Sequence, residues 1–225
     1  MKNRHAALWA EAIGTAFLLV AVVGSGVMGE QLAQGNMGLA LLANSLATGC
    51  GLYFLITVLG PVSGAHFNPL VSLRAFLLRD LTATLLSAYV AAQVVGGILG
   101  VWITHLMFDL PILQTSTKLR TGTGHWSGEV VATLGLILTI GLGERFKRDE
   151  IPLLVACYIT SAYWFTSSTS FANPAVTLAR ALSDTFAGIA PVSVLGFVLA
   201  QTLGLALGMG VLWLLRPGQV AAKSH

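Results

Sequence analysis

Gly64-Ala65-His66-Phe67-Asn68-Pro69-Leu70-Val71-Ser72-Leu73 decides the fold, because its second half returns as Asn173-Pro174-Ala175-Val176-Thr177-Leu178. Laid together the two read N-P-[LA]-V-[ST]-L. Each opens an apolar stretch, 68–78 and 173–182, about half a membrane span in length. Proline in the first helical turn starts a helix without sacrificing a needed donor. The segments just before, Gly60 to Phe67 and Thr166 to Ala172, are rich in small and polar residues. Irregular backbone at membrane depth survives only where protein buries it or a wet cavity adjoins it. The pair therefore predicts two re-entrant half-helices beside a water-filled path.

A second pair of segments repeats upstream, Glu11-Ala12-Ile13-Gly14-Thr15 over Glu129-Val130-Val131-Ala132-Thr133. Around these lie apolar segments at about 8–29, 37–59, 81–106, 127–143, 151–167 and 190–215, three in each half. An odd number of spans turns the second copy upside down, giving inverted repeats about an in-plane axis. The expected fold class is an all-α membrane protein, with six transmembrane helices and two re-entrant half-helices. It forms one domain over 1–225, with repeats at about 1–108 and 125–225. Phe108 to Trp126, with Pro111 and several Thr, Ser and Gly residues, reads as an external linker between the halves.

Composition agrees. Of 225 residues 55% are hydrophobic and only 9% charged, against about 25% charged in soluble domains. Twenty-five glycines suit close helix approach in lipid. The first apolar run, Leu8 to Gly29, is too long for a secretory h-region and no small-x-small site follows it, so it reads as a retained span. The net charge of +3 has a topological cause. With both termini inside, Lys2, Arg4, Arg74, Arg79, Arg145, Lys147, Arg148, Arg216 and Lys223 fall on the cytoplasmic side, and Lys118, Arg120 and Arg180 on the outer side. That distribution argues against a nucleic-acid partner. Cys50 and Cys157 lie in apolar runs and read as small core residues. The five histidines lack ligand spacing and no nucleophile–base set converges, so no metal, cofactor or enzymatic activity is expected.

The Gly64-Ala65-His66-Phe67-Asn68-Pro69 run, paired with the second Asn-Pro box, resembles the G-[GA]-H-[FLIV]-N-P string of the major intrinsic protein family. That family comprises the aquaporins and the glycerol-conducting aquaglyceroporins, and the likeness runs from Glu11 to the sixth span. It implies a passive channel for small uncharged solutes and water, a homotetramer, in the cytoplasmic membrane. Asn68 and Asn173 would be central donors to solute oxygen, at turns made by Pro69, Leu70, Pro174 and Ala175. Gly64, Ala65, His66 and Phe67 would supply a ladder of accepting carbonyls. Two half-helices meeting by their N-termini would repel cations at the centre. Glu11 and Glu129 would brace the re-entrant loops; a proton relay, as in a coupled transporter, is the alternative.

The resemblance also locates a selectivity constriction, and there this sequence departs from the pattern. Twenty before the first Asn stands Thr48 in place of an aromatic residue, and twelve before the second stands Ser161 in place of His or Gly. Three after it stands Val176 in place of Arg, with Ser170 as the fourth position. The expected filter is thus made of small neutral side chains. Arg180, one turn beyond Val176, is either a vestibule charge or a cap on its own half-helix. Leu70 replaces the usual Ala and adds bulk. Such a filter suits glycerol-like polyols and neutral metalloid hydroxides such as arsenous acid. The Thr48 and Val176 combination resembles bacterial aquaglyceroporins associated with arsenic resistance. A general water and glycerol channel is the alternative, and an ion-coupled secondary transporter a more distant one.

Overall fold

The computed structural model describes residues 4–216; Lys2 and Lys223, two of the charges assigned to the inner side, lie outside the described residues. Helix α1 (Arg4–Leu19) passes through a π-helical turn, Val20–Gly24, into α2 (Ser25–Leu32). Together they make one apolar span of 29 residues. Asn44 holds the π turn open by donating its Nδ2 to the Val22 carbonyl at 2.7 Å. Helix α3 (Met37–Ser63) starts where the Asn36 side chain accepts from the Leu39 amide and stops at Gly64, whose φ of 100° only glycine adopts freely. Helices α5 (Ala83–Met107), α6 (Thr123–Phe146) and α9 (Pro191–Leu214) are the other long members. These five spans are long and apolar enough to cross a bilayer. The sixth, α7 (Ile151–Phe165), has 15 residues, about 22 Å of helix against roughly 30 Å of hydrocarbon. The chain beyond it re-enters the protein at Thr166. Half-helices α4 (Pro69–Leu77) and α8 (Pro174–Arg180) each begin at an Asn-Pro turn. The result is the all-helical, two-repeat architecture expected, with no strand among the described residues.

Close crossings at matching glycines join α1 to α5 and α6 to α9. A Cβ at Gly96 would stand 2.1 Å from the Ala12 carbonyl oxygen, and one at Gly100 2.2 Å from that of Ala16. In the second half a Cβ at Gly204 would stand 2.6 Å from the Val130 oxygen, and one at Gly208 2.9 Å from Ile137 Cβ. Small residues let backbones touch where lipid offers no hydrophobic drive for association. Gly100→Ala should therefore destabilise by about 1–3 kcal/mol through overpacking. Gly210→Ala meets open space and should be neutral. Thermal midpoints in detergent compare the two; equal midpoints would mean that the α1–α5 crossing is not tight.

Two expectations change. The last residues of the expected linker, 123–126, belong to α6, and the remainder lies outside the helices. It is zipped to the chain after α8 by Ser116 N–H to Ala181 O (2.9 Å) and Ala190 N–H to Lys118 O (2.7 Å). Arg120 Nε adds a bond to Gly188 O at 2.9 Å. Burial pulls the Arg120 guanidinium down to about 10, which leaves it charged at neutral pH. Cys50 and Cys157 are exposed on outer helix faces rather than in the core. The reason is that lipid-facing surface is as apolar as the interior, so an apolar run does not tell one from the other.

Candidate functional site

A cavity of about 240 Å³ runs between the half-helices and four of the spans. Its apolar wall is built from residues four apart, which stack on one helix face. They are Leu18 and Val22 on the first span, Thr48, Leu52 and Ile56 on α3, Leu136 and Ile140 on α6, and Val155, Ile159 and Tyr163 on α7. Facing them is backbone. Gly64, Ala65, His66 and Phe67 line one stretch, and Ser170, Phe171 and Ala172 the other. Ala65 and Phe67 have φ of 51° and 49°, and Ser170 and Ala172 have 49° and 48°. Each left-handed non-glycine residue costs on the order of 1–3 kcal/mol and persists only where its surroundings fix it.

Two buried carboxylates do the fixing. Glu11 accepts from the His66 and Phe67 amides at 2.9 and 2.7 Å. Glu129 accepts from the Phe171 and Ala172 amides, both at 2.8 Å. Each carboxylate has the same helpers. Gln93 Nε2 bridges Glu11 (2.8 Å) and Ser72 Oγ (3.0 Å), while Gln201 Nε2 bridges Glu129 (2.6 Å) and Thr177 Oγ1 (2.9 Å). Ser63 donates to Glu11 at 2.6 Å, and Ser168 hydrogen-bonds Glu129. The sequence carried signals for these helpers that the motif reading missed. Gln-x-x-Gly-x-x-x-Gly recurs at Gln93 and Gln201, and a serine precedes each Asn by five.

The half-helices meet at the two asparagines. Asn68 Oδ1 caps Leu70 N–H at 2.9 Å, and Asn173 Oδ1 caps Ala175 and Val176 N–H at 3.0 and 3.2 Å. Their amides cross over: Asn68 Nδ2 donates to Ala172 O at 2.8 Å and Asn173 Nδ2 to Phe67 O at 2.7 Å. A carboxamide carries two N–H groups. One on each residue ties the loops together, and both residues line the cavity. Pro69 and Pro174 open the half-helices. Leu70 turns away from the lumen into a cluster with Ile137, Leu205 and Leu212. Its counterpart Ala175 is fully buried.

Thr48, Ser170 and Val176 all line one end of the cavity. Ser161 does not: it is exposed on the outer face of α7 and bonds its own helix at Cys157 O. Tyr163, two residues on and so roughly 200° round the helix, takes the lumen position instead. Its hydroxyl lies 3.2 Å from Thr48 Oγ1. The expected filter of small neutral residues is thus corrected, since the Tyr163 ring joins it from α7, whereas the α3 position holds Thr48. Ser170 Oγ is buried without a protein partner. Arg180 also lines this end. Its guanidinium stacks 3.4 Å from the Phe171 ring centroid and its Nε donates to Ala187 O. It does not cap the carbonyls of its own half-helix. At the other end Arg74 forks onto Glu144 (3.0 and 2.6 Å), with Asp80 beside them in the lining.

A lumen with one apolar wall, a second wall made by the two re-entrant loops, and paired carboxamides between them defines a passive transmembrane channel for small uncharged solutes. A family model described as "Major intrinsic protein" matches residues 2–163. The chain is 54% identical to "Aquaglyceroporin AqpS" of Rhizobium meliloti (strain 1021), over 93% of this chain and 90% of that protein. It is 26% identical to "Glycerol uptake facilitator protein" of Bacillus subtilis (strain 168), over 80% and 72% of the two chains. The X-ray structure of the aquaglyceroporin from Plasmodium falciparum shares the fold, with a TM-score of 0.69, 19% identity, and coverage of 94% and 95%. The chain belongs to the major intrinsic protein family.

Proposed function

We propose that this channel favours glycerol-like polyols and neutral metalloid hydroxides such as arsenous acid over strict water selectivity, and that it performs no enzymatic step. The observation carrying this is Val176, three residues after Asn173, where an arginine would narrow the lumen. Thr48 and Tyr163 hydroxyls, Ser170 Oγ and an apolar wall together suit a molecule with hydroxyls on one side and carbon or a metalloid on the other. The similarity to a protein named aquaglyceroporin supports the same reading. In it Asn68 and Asn173 donate at the centre, the loops from Gly64 to Phe67 and Ser170 to Ala172 accept, and Glu11 and Glu129 brace them. Arg180 is an outer-vestibule charge. The protein sits as a homotetramer in the cytoplasmic membrane; both termini lie inside, an orientation that the basic residues at Arg74, Arg79, Arg145, Lys147, Arg148 and Arg216 support.

Stopped-flow permeability of proteoliposomes to water, glycerol and arsenite, in one preparation, tests the solute. Glycerol and arsenite should cross with low activation energy and no dependence on a proton or sodium gradient. Water flux with neither solute would overturn the preference, and gradient dependence would point to a coupled transporter. Asn173→Ala should lower glycerol flux, because it removes the central donor and the tie to Phe67 O. Normal flux of every solute in folded Asn173→Ala and Asn68→Ala would sink the central-donor mechanism.

A further inference from the structure

We infer that Arg74 and Glu144 form a second solute station in the lumen, at the end away from Thr48, which binds neutral polyhydroxylated molecules. The inference rests on the pore reading above and adds a specificity-determining pair to it.

Arg74 lies in the last turn of α4 with its side chain only 7% exposed, although it lines the cavity. Its two terminal nitrogens grip both oxygens of Glu144. A fork of that kind fixes the guanidinium plane. Of the three N–H groups the fork leaves over, the one on Nε is buried and has no acceptor in the protein. A pair that only bolted α4 to α6 would need the fork and nothing more. Glu144 follows Leu136 and Ile140 on the stripe of α6 that faces the lumen. Each of its oxygens is used once by Arg74 and retains a lone pair. A buried donor without a protein acceptor and carboxylate oxygens with lone pairs to spare thus stand side by side in a residue pair that lines the lumen. A polyol, which both donates and accepts, satisfies them together. The Arg74–Glu144 pair is itself net neutral, so a neutral polyol needs no counter-charge to bind it.

The internal repeat shows that the fold does not require this pair. Arg74 corresponds to Ala179 in the second copy, at the offset that pairs Asn68 with Asn173. Glu144 corresponds to Gly26, at the offset that pairs Glu129 with Glu11. The braces, asparagines, serines and glutamines keep their counterparts, whereas both members of this pair lack one.

The test is the concentration dependence of glycerol flux in proteoliposomes, with water permeability measured alongside. Wild-type flux should saturate. Arg74→Leu combined with Glu144→Leu removes both charges and so leaves neither buried alone. Arg74→Lys keeps a cation against Glu144 but loses the planar fork and Nε–H. Both should raise the half-saturating glycerol concentration about threefold or more, the effect of a lost hydrogen bond, with water permeability changed by a clearly smaller factor. Should the double variant fail to assemble, Arg74→Lys alone carries the test. Linear wild-type flux, an unchanged half-saturating concentration in Arg74→Lys, or water and glycerol falling in parallel would each overturn the station and leave the channel reading intact. Wild-type glycerol flux no faster than in empty liposomes would instead overturn the pore reading, and the station with it.

Discussion

Glu129→Ala should prevent the protein from accumulating in folded form. Glu129 is fully buried and accepts from the Phe171 and Ala172 amides and from Gln201 Nε2. Alanine would leave the two backbone donors buried and unpaired, and would take one partner each from Gln201 Nε2, which keeps Thr177 Oγ1, and from Ser168. Each unmade bond costs about 1–3 kcal/mol, so the sum is comparable with an entire stability of roughly 5–15 kcal/mol. The loss falls where it is least tolerable, because Ser170 and Ala172 hold left-handed φ angles that nothing local favours. Glutamine should be milder. Its one oxygen can still accept from the loop, while its amide meets another donor. The same order should hold at Glu11, whose partners match. Yield of monodisperse protein and its thermal midpoint in detergent measure the effect. The brace is wrong if Glu129→Ala matches wild type in both. Wild-type transport that needs a proton gradient, and loses that need in Glu129→Gln, would reveal a relay.

The fold was legible because its decisive features are local. Asn68-Pro69 and Asn173-Pro174 cap and start their own half-helices, so each announces itself within a few residues. Facing was less legible. Ser161 and Tyr163 sit two residues apart on α7, one outside and one in the lumen. Their hydropathy does not separate them, since lipid accepts what a core accepts. A motif offset carried across a loop fixes such a position only to within a residue or two, and two residues reverse the face. Pairings through backbone were illegible for another reason. The bond from Ser116 N–H to Ala181 O uses groups that every residue but proline possesses. Arg74 was assigned to the inner side for its charge alone; its partner Glu144 is 70 residues away. Gln93 and Gln201 were within reach, because their repeat with glycine is as regular as the Asn-Pro repeat.

Val176→Arg should cut glycerol and arsenite flux about tenfold or more, which takes only about 1.4 kcal/mol of added barrier, while water flux falls less. Val176 is buried and lines the lumen with Thr48 and Tyr163. Arginine there brings a planar cation with five donors into a space now bounded by two methyl groups. Arg180 lies one turn outward on the same face, and its site on Phe171 is already taken. The new guanidinium therefore has the lumen as its place. A solute the size of glycerol loses clearance, whereas water passes a narrower opening and gains donors. Val176→Leu separates volume from charge and should have the smaller effect. Thr48→Trp should act in the same direction by filling the opposite wall and breaking the contact with Tyr163. Because both side chains border one constriction, the double variant should lose less than the two separate losses combined. Proton leak should not rise in Val176→Arg, since a second fixed cation opposes proton passage more strongly. The comparison requires equal protein per liposome. If both single variants then conduct glycerol and arsenite as wild type does, Thr48 and Val176 do not border the constriction, and selectivity must be sought elsewhere along the lumen.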